Sequence, residues 1–282
     1  MWNHIFVMNA DGSGLIGLTT NDPEWRHTEP VWSPDGRTIA FLNREWSGNE
    51  AGEIVLANAD GSGLRSLTES MTDRYVFESP RWSPNGQWIA FAAAPVNETS
   101  VASTHYQLFF VNADGSGRHS LTNDPRIIVA GPSAWSLDES RIAYLAHTPN
   151  FDPLGIGIVR ADGSGTHILI REAVNRFDPT GPVWSPDGQW LAYSQGANSP
   201  PDGIGVVNAD GTRQTLLARE WANLGGCSFV TSFRWSPDGQ RIIYETLRND
   251  NAEIYAANVD GSGEVNLTDN PATDAFILPG GC

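Results

Sequence analysis

Trp184-Ser185-Pro186-Asp187-Gly188 decides the fold, because the same five residues stand at Trp32 to Gly36 and at Trp235 to Gly239. Trp82 to Gly86 differs only by Asn85, and Trp135-Ser136-Leu137-Asp138 is a degenerate copy. A second phrase, Ala-Asp-Gly-Ser-Gly, is carried on Asp11, Asp60, Asp114 and Asp162. Near copies follow at Asp210-Gly211-Thr212 and Asp260-Gly261-Ser262. Both phrases return about every 50 residues, the mark of an array of like units that cannot bury a core singly.

The stretch from Glu78 to Thr122 shows one unit. Ser79-Pro80-Arg81-Trp82 reads as a short strand. Ser83-Pro84-Asn85-Gly86 puts its four residues where a type I turn prefers them. Trp88 to Phe91 is a second strand and Tyr106 to Val111 a third, with a variable loop from Pro95 to about Thr104 between them. Asp114-Gly115 predicts a two-residue hairpin with positive φ at both residues, leading into a fourth strand, Arg118 to Thr122. Four short antiparallel strands per unit predict blades packed radially, an arrangement that protects sheet edges and buries both blade faces. The tryptophans at 32, 82, 135, 184 and 235 then pack between adjacent blades, as do Leu18, Leu67, Leu121 and Leu267 ahead of their threonines.

There are six Asp-Gly hairpins and five Trp-Ser hairpins. The chain opens in a third strand at Ile5 to Met8, and Phe276 to Pro279 falls in the register of a first strand. The expected fold is therefore all-β: a six-bladed propeller of four-stranded antiparallel blades, formed by residues 1–282 as one domain. One blade is split between the termini and incomplete, so the chain reads as a possible fragment of a longer protein. In this register Cys227 lies in an interblade loop on the variable face and Cys282 at the turn-face end of its strand, roughly 20 Å apart at about 3.3 Å per residue. Two free thiols are expected, since a disulfide needs Cα atoms within about 7 Å.

Composition narrows the partners. The formal charge is -16, with no basic stripe of the kind that nucleic-acid binding needs. Anionic membrane surfaces are disfavoured for the same reason. All 17 basic residues are arginine, so lysine chemistry is excluded. No run approaches the ~18 apolar residues of a membrane span, and Met1 to Ala10 is too short and too polar for a signal peptide. No Gly-x-Ser-x-Gly elbow or His-Glu-x-x-His pair occurs. The six histidines show no ligand spacing, and the Asp-Gly hairpins lack the alternating oxygens of a calcium loop. The expectation is a non-catalytic domain without metal or cofactor.

Glu29-Pro30-Val31-Trp32-Ser33-Pro34-Asp35-Gly36-Arg37-Thr38-Ile39-Ala40-Phe41 and Ile5-Phe6-Val7-Met8-Asn9-Ala10-Asp11-Gly12-Ser13-Gly14 closely resemble the WD40-like propeller repeats of the TolB family. The resemblance covers essentially the whole chain, and nothing in it matches the small α/β domain that precedes the propeller in that family. It implies a module that binds protein or peptide in the periplasm or at the cell surface. Oligogalacturonate lyases and prolyl-oligopeptidase-type peptidases use related propellers. This leaves two alternatives: an accessory propeller of a larger enzyme or receptor, and a polysaccharide lyase or hydrolase.

Strand direction puts both repeated turns on one face, where turn chemistry explains the aspartates. The loops joining blades vary and lie on the other face, where binding usually resides. Aromatics with arginine are the residue types of binding hot spots. The candidate binding residues are therefore Trp25, Arg26, His27, Arg74, Tyr75, Arg126, Arg176, Phe177, Arg219 and Trp221. Local pairing with neighbours such as Glu24 and Asp124 is the competing explanation for the arginines.

Overall fold

A computed structural model describes residues 4–19, 24–45, 52–71, 75–95, 105–171, 181–195, 203–217, 233–248 and 251–269. Five four-stranded sheets follow one another in sequence, each with its strands in chain order. Blade 1 holds β3 (Trp25–Trp32), β4 (Thr38–Glu45), β5 (Gly52–Asn58) and β6 (Arg65–Ser66). Blade 2 holds β7 (Tyr75–Trp82), β8 (Trp88–Pro95), β9 (Gln107–Asn112) and β10 (His119–Ser120). Blade 3 holds β11 (Ile128–Trp135), β12 (Arg141–His147), β13 (Pro153–Arg160) and β14 (His167–Ile170). Blade 4 holds β15 (Val183–Trp184), β16 (Trp190–Gln195), β17 (Gly203–Asn208) and β18 (Gln214–Leu217). Blade 5 holds β19 (Phe233–Trp235), β20 (Arg241–Arg248), β21 (Asn251–Asn258) and β22 (Val265–Asn266). The split blade contributes β1 (Phe6–Val7) paired with β2 (Ile16–Gly17). One 3-10 turn, Glu69–Met71, is the sole helical element among the described residues. The proposed first strand at Phe276 to Pro279 and both cysteines lie outside the described residues.

The core is divided among the seams. Leu18 packs forward onto Phe41 and Val55 of blade 1. Leu67 packs forward onto Phe77 and Phe91 of blade 2, and Leu121 onto Val129 and Tyr144 of blade 3. The threonine after each leucine closes its own blade. The Oγ1 atoms of Thr19, Thr68, Thr122 and Thr268 accept from the amides of Ile5, Ile54, Leu108 and Ile254 at 2.9 to 3.1 Å.

The Ser-Pro-Asp-Gly turns form as expected, with Gly36 N–H donating to Ser33 O at 2.9 Å. The Asp-Gly hairpins differ from expectation. Asn58 pairs with Ser62 around a three-residue loop, and only the glycine takes positive φ, 82° at Gly61. This is a type I turn closed by a left-handed residue. The reason is the carboxylate: Asp60 Oδ1 accepts both the backbone N–H and the hydroxyl of Ser62, at 2.9 and 2.6 Å. That local bond fixes the loop.

The first strands are also longer than expected. β3 and β7 reach back to Trp25 and Tyr75, through a bulge at Glu29-Pro30 and Ser79-Pro80. Two residues there oppose one on the neighbouring strand, and Glu29 and Ser79 take φ of 54° and 53°. Blade 3 breaks at the corresponding place with three residues, 131–133, opposite one, and there Gly131 takes a φ of 68° without strain.

Candidate binding site at the propeller hub

Residues around each repeat tryptophan converge on one cavity. About 840 Å³ is enclosed by Val31, Arg81, Ala134, Val183 and the five tryptophans, together with Pro34, Pro84 and Pro186. All five complete blades contribute, so the first strands form the hub.

The tryptophans hold the hub blade to blade. The Nε1–H groups of Trp82, Trp184 and Trp235 donate to the carbonyls of Val31, Ala134 and Val183 in the preceding blade, at 3.0 to 3.2 Å. Trp135 departs from this. Its buried Nε1 has no acceptor, and its ring stacks on Trp88 with centroids 5.9 Å apart. Arg141, in the register of Trp88, lies 4.7 Å over the Trp184 ring.

The two turns that depart from the repeat meet each other. Glu139 stands where the repeat has glycine and takes a φ of 60°. Its carboxylate accepts from the Asn85 backbone N–H at 2.5 Å and from Asn85 Nδ2 at 2.6 Å, linking blade 3 to blade 2.

Charge at the hub is uneven. Glu29 Oε2 accepts the Ser79 N–H at 2.8 Å, and its Oε1 lies 3.9 Å from Arg44 Nη2. Burial pushes the Arg81 guanidinium below its usual range, partly offset by Glu29. The turn carboxylates outside the hub, including Asp11, Asp60 and Asp260, are held below the ordinary carboxylate range by the serine hydroxyl two residues on.

At the opposite end of the hub, Trp25, Arg26, His27 and Tyr75 lie in the first strands rather than in loops. Arg26 is exposed, while Trp25 and Tyr75 are half-buried. Tyr75 packs edge-on against Phe109, at 6.1 Å. His27 is buried, its ring 6.0 Å from His4 and 5.9 Å from Phe41. Its cross-strand neighbour Asn43 donates to Glu53 at 3.0 Å beside a smaller cavity of about 290 Å³. Arg126 is held by Asp124, its Nε and Nη2 donating at 2.9 and 2.8 Å, which is the local pairing weighed from the sequence. Arg126 in turn holds the Asp124 carboxyl down to about 2. Arg74, Arg176, Phe177, Arg219 and Trp221 lie outside the described residues. Among the described residues, no group of three His, Cys, Asp or Glu is placed to hold a metal ion.

Arg81 is a hub residue that the repeat pattern alone does not single out. The residues just before the repeat tryptophans are Val31, Arg81, Ala134, Val183 and Arg234, so two charges interrupt an apolar register. That interruption is the signal the sequence offers.

The TolB beta propeller domain family matches residues 94–275. Two curated relatives are similar in part. The uncharacterized peptidase YuxL of Bacillus subtilis is 40% identical over 88 residues, covering 31% of this chain and 12% of that protein. Dipeptidyl-peptidase 5 of Porphyromonas endodontalis is 35% identical over 113 residues, covering 40% of this chain and 15% of the relative. The chain thus spans a small part of either relative's length. Among solved structures, an oligogalacturonate lyase in complex with manganese superposes with a TM-score of 0.67 at 12% identity, covering 91% of this chain and 71% of that one. A putative TolB from Agrobacterium tumefaciens gives 0.56 at 18% identity, covering 94% and 87%. At these identities the likeness speaks for the fold alone.

Proposed function

The chain belongs to the TolB β-propeller family, and from that premise we propose that it is a binding module for protein or peptide, acting outside the cytoplasm, with no chemistry of its own. One observation carries the reading: first strands from five blades converge on a single open cavity walled by aromatic and proline side chains. Pockets of several hundred Å³ with apolar walls and few polar groups are where ligands usually bind. Indole–carbonyl bonds between blades hold the walls in place, so little ordering cost opposes binding. The ligand enters along the channel from the variable-loop face, past Trp25, Arg26, His27, Tyr75 and Arg126, and Arg74, Arg176, Phe177, Arg219 and Trp221 are the further candidates for contact with it.

The test starts by selecting a binder from a random peptide library on the purified domain. Arg74→Glu and Arg176→Glu weaken the selected peptide, and Asp114→Asn does not. The opposite pattern puts the entrance on the turn face.

A second reading has specific support. The two relatives described above are named as peptidases, and the matched stretches are 12% and 15% of their lengths. In that reading the chain is the accessory propeller of a larger peptidase and steers substrate toward a separate hydrolase domain. Sequencing the DNA that flanks the coding segment decides it, because an in-frame hydrolase domain favours the peptidase reading.

A further inference from the structure

Arg81 is the one charged side chain among the described residues that wall the hub cavity. Its surroundings there are tryptophan, proline, valine, alanine and leucine, with serines. One donor is used within the chain: Nη1 donates to the Pro80 carbonyl at 2.9 Å. The carboxylate that acts on it, Glu29, already accepts the Ser79 amide and lies against Arg44. Arg44 also donates to the Phe77 carbonyl. Glu29 is thus already engaged, and among the described residues no carboxylate lies within ion-pair distance of Arg81. A partly buried cation in apolar surroundings is costly unless an anion meets it. Guanidinium presents a planar fork of N–H donors that fits a carboxylate in bidentate fashion.

We infer that the hub cavity binds the terminal carboxylate of a peptide ending in an aromatic or large apolar residue, with Arg81 as the carboxylate clamp and the tryptophan and proline walls receiving the side chain. This rests on the reading of the hub as a ligand site and names the chemistry that it selects. Capture of a C-terminal carboxylate is an established mode of peptide recognition. The aromatic walls supply large contact area at little entropic cost, and edge-to-face packing suits a phenyl or indole ligand. Arg234 holds the same register in blade 5 and makes the same bond, Nη1 to the Phe233 carbonyl at 2.9 Å, but it is exposed. It serves as an internal control.

The probes are N-acetyl-phenylalanine and its C-terminal amide, titrated calorimetrically and by tryptophan fluorescence. In the wild-type domain the acid binds about 10- to 100-fold more tightly than the amide, the usual worth of a hydrogen bond to a charged group. Arg81→Met abolishes the preference, and Arg234→Met leaves it intact. Thermal melts establish that both variants are folded. If Arg81→Met is not, Arg81→Lys takes its place: it keeps the charge, loses the fork and cuts the preference by several fold. Equal binding of acid and amide, with the fluorescence change retained, overturns the carboxylate assignment and leaves the hub as a ligand site. A preference that survives in the folded Arg81 variant overturns it too. Failure of both probes to bind at millimolar concentration overturns the assignment together with the hub reading.

Discussion

The seam between blades 3 and 4 and the flank of blade 5 are built from the same repeat and end differently. Between blades 3 and 4, Trp184 is buried, donates to Ala134 and lies under the Arg141 guanidinium. Ile158 and Ile170 pack with Leu191 and Tyr193 across that seam. On the flank of blade 5, Leu267 is 53% exposed, although Leu67 and Leu121 in the same register are buried. Phe6, on the split blade, is 59% exposed. The apolar residues of one repeat are therefore buried by the next repeat and not by their own blade. Most of the stability of such an array resides in nearest-neighbour interfaces.

The largest effect that tests this contrast is Trp184→Ala. It should cost about 3–5 kcal/mol by denaturant unfolding, as for other large aromatic truncations in cores. Leu267→Ala should stay within about 0.5 kcal/mol, the range of ordinary surface changes. Similar losses at the two sites would break the comparison.

A smaller effect sharpens it inside one blade. Tyr193 lies directly across from Gly205, and a Cβ at Gly205 would come within 2.2 Å of the Tyr193 ring. Tyr144 and Gly157 repeat the arrangement in blade 3, whereas Phe41 faces Val55 in blade 1. Gly205→Ala should cost about 1–3 kcal/mol through overpacking. Adding Tyr193→Leu should recover part of that loss, measured as a double-mutant cycle.

The smallest effect separates turns from seams. Asp11, Asp60, Asp114 and Asp260 have carboxyls held below the ordinary value of 3.8, and Asp124 is held down to about 2. Because the folded values are the lower ones, the stabilisation is present above the unfolded value and is lost as pH falls through the folded one. Acidification from about pH 4 toward about 2 should lower the protection of the Ser13, Ser62 and Ser116 amides against hydrogen exchange, relative to the free-peptide rate at each pH, since these carboxylates accept them. The loss of protection should be alike in every blade. Preferential opening beside blade 5 would tie the turns to the seams after all.

Much of the fold was legible because turn chemistry is local. Proline, aspartate and glycine at fixed offsets mark where strands reverse, whatever surrounds them. The hairpin loop length was not legible, because it depends on the Asp60 carboxylate accepting from Ser62 rather than on the Asp-Gly pair alone. The bulges were missed because Glu29-Pro30 reads equally well as a strand start. The hub was the least legible part. Arg81 is one residue from a conspicuous tryptophan, and only the convergence of five blades reveals that it borders a cavity. Of the variable-face candidates, Arg126 is occupied by Asp124 and His27 is buried against Phe41, because local pairing and strand burial are not written in residue type.

The bond between Asn85 and Glu139 has a consequence for how this array changed over time. Repeats drift one copy at a time, and a drifted copy is ordinarily replaceable by its neighbour. Here Glu139 occupies a glycine position of the repeat and Asn85 an aspartate position, and each is the other's partner. Restoring the common turn in blade 2 alone, by Asn85→Asp, would set one carboxylate against another at Glu139. Restoring it in blade 3 alone, by Glu139→Gly, would leave Asn85 without the carboxylate that it now binds. A rearrangement that separates blade 2 from blade 3 therefore loses a bond that the common turn sequence cannot supply.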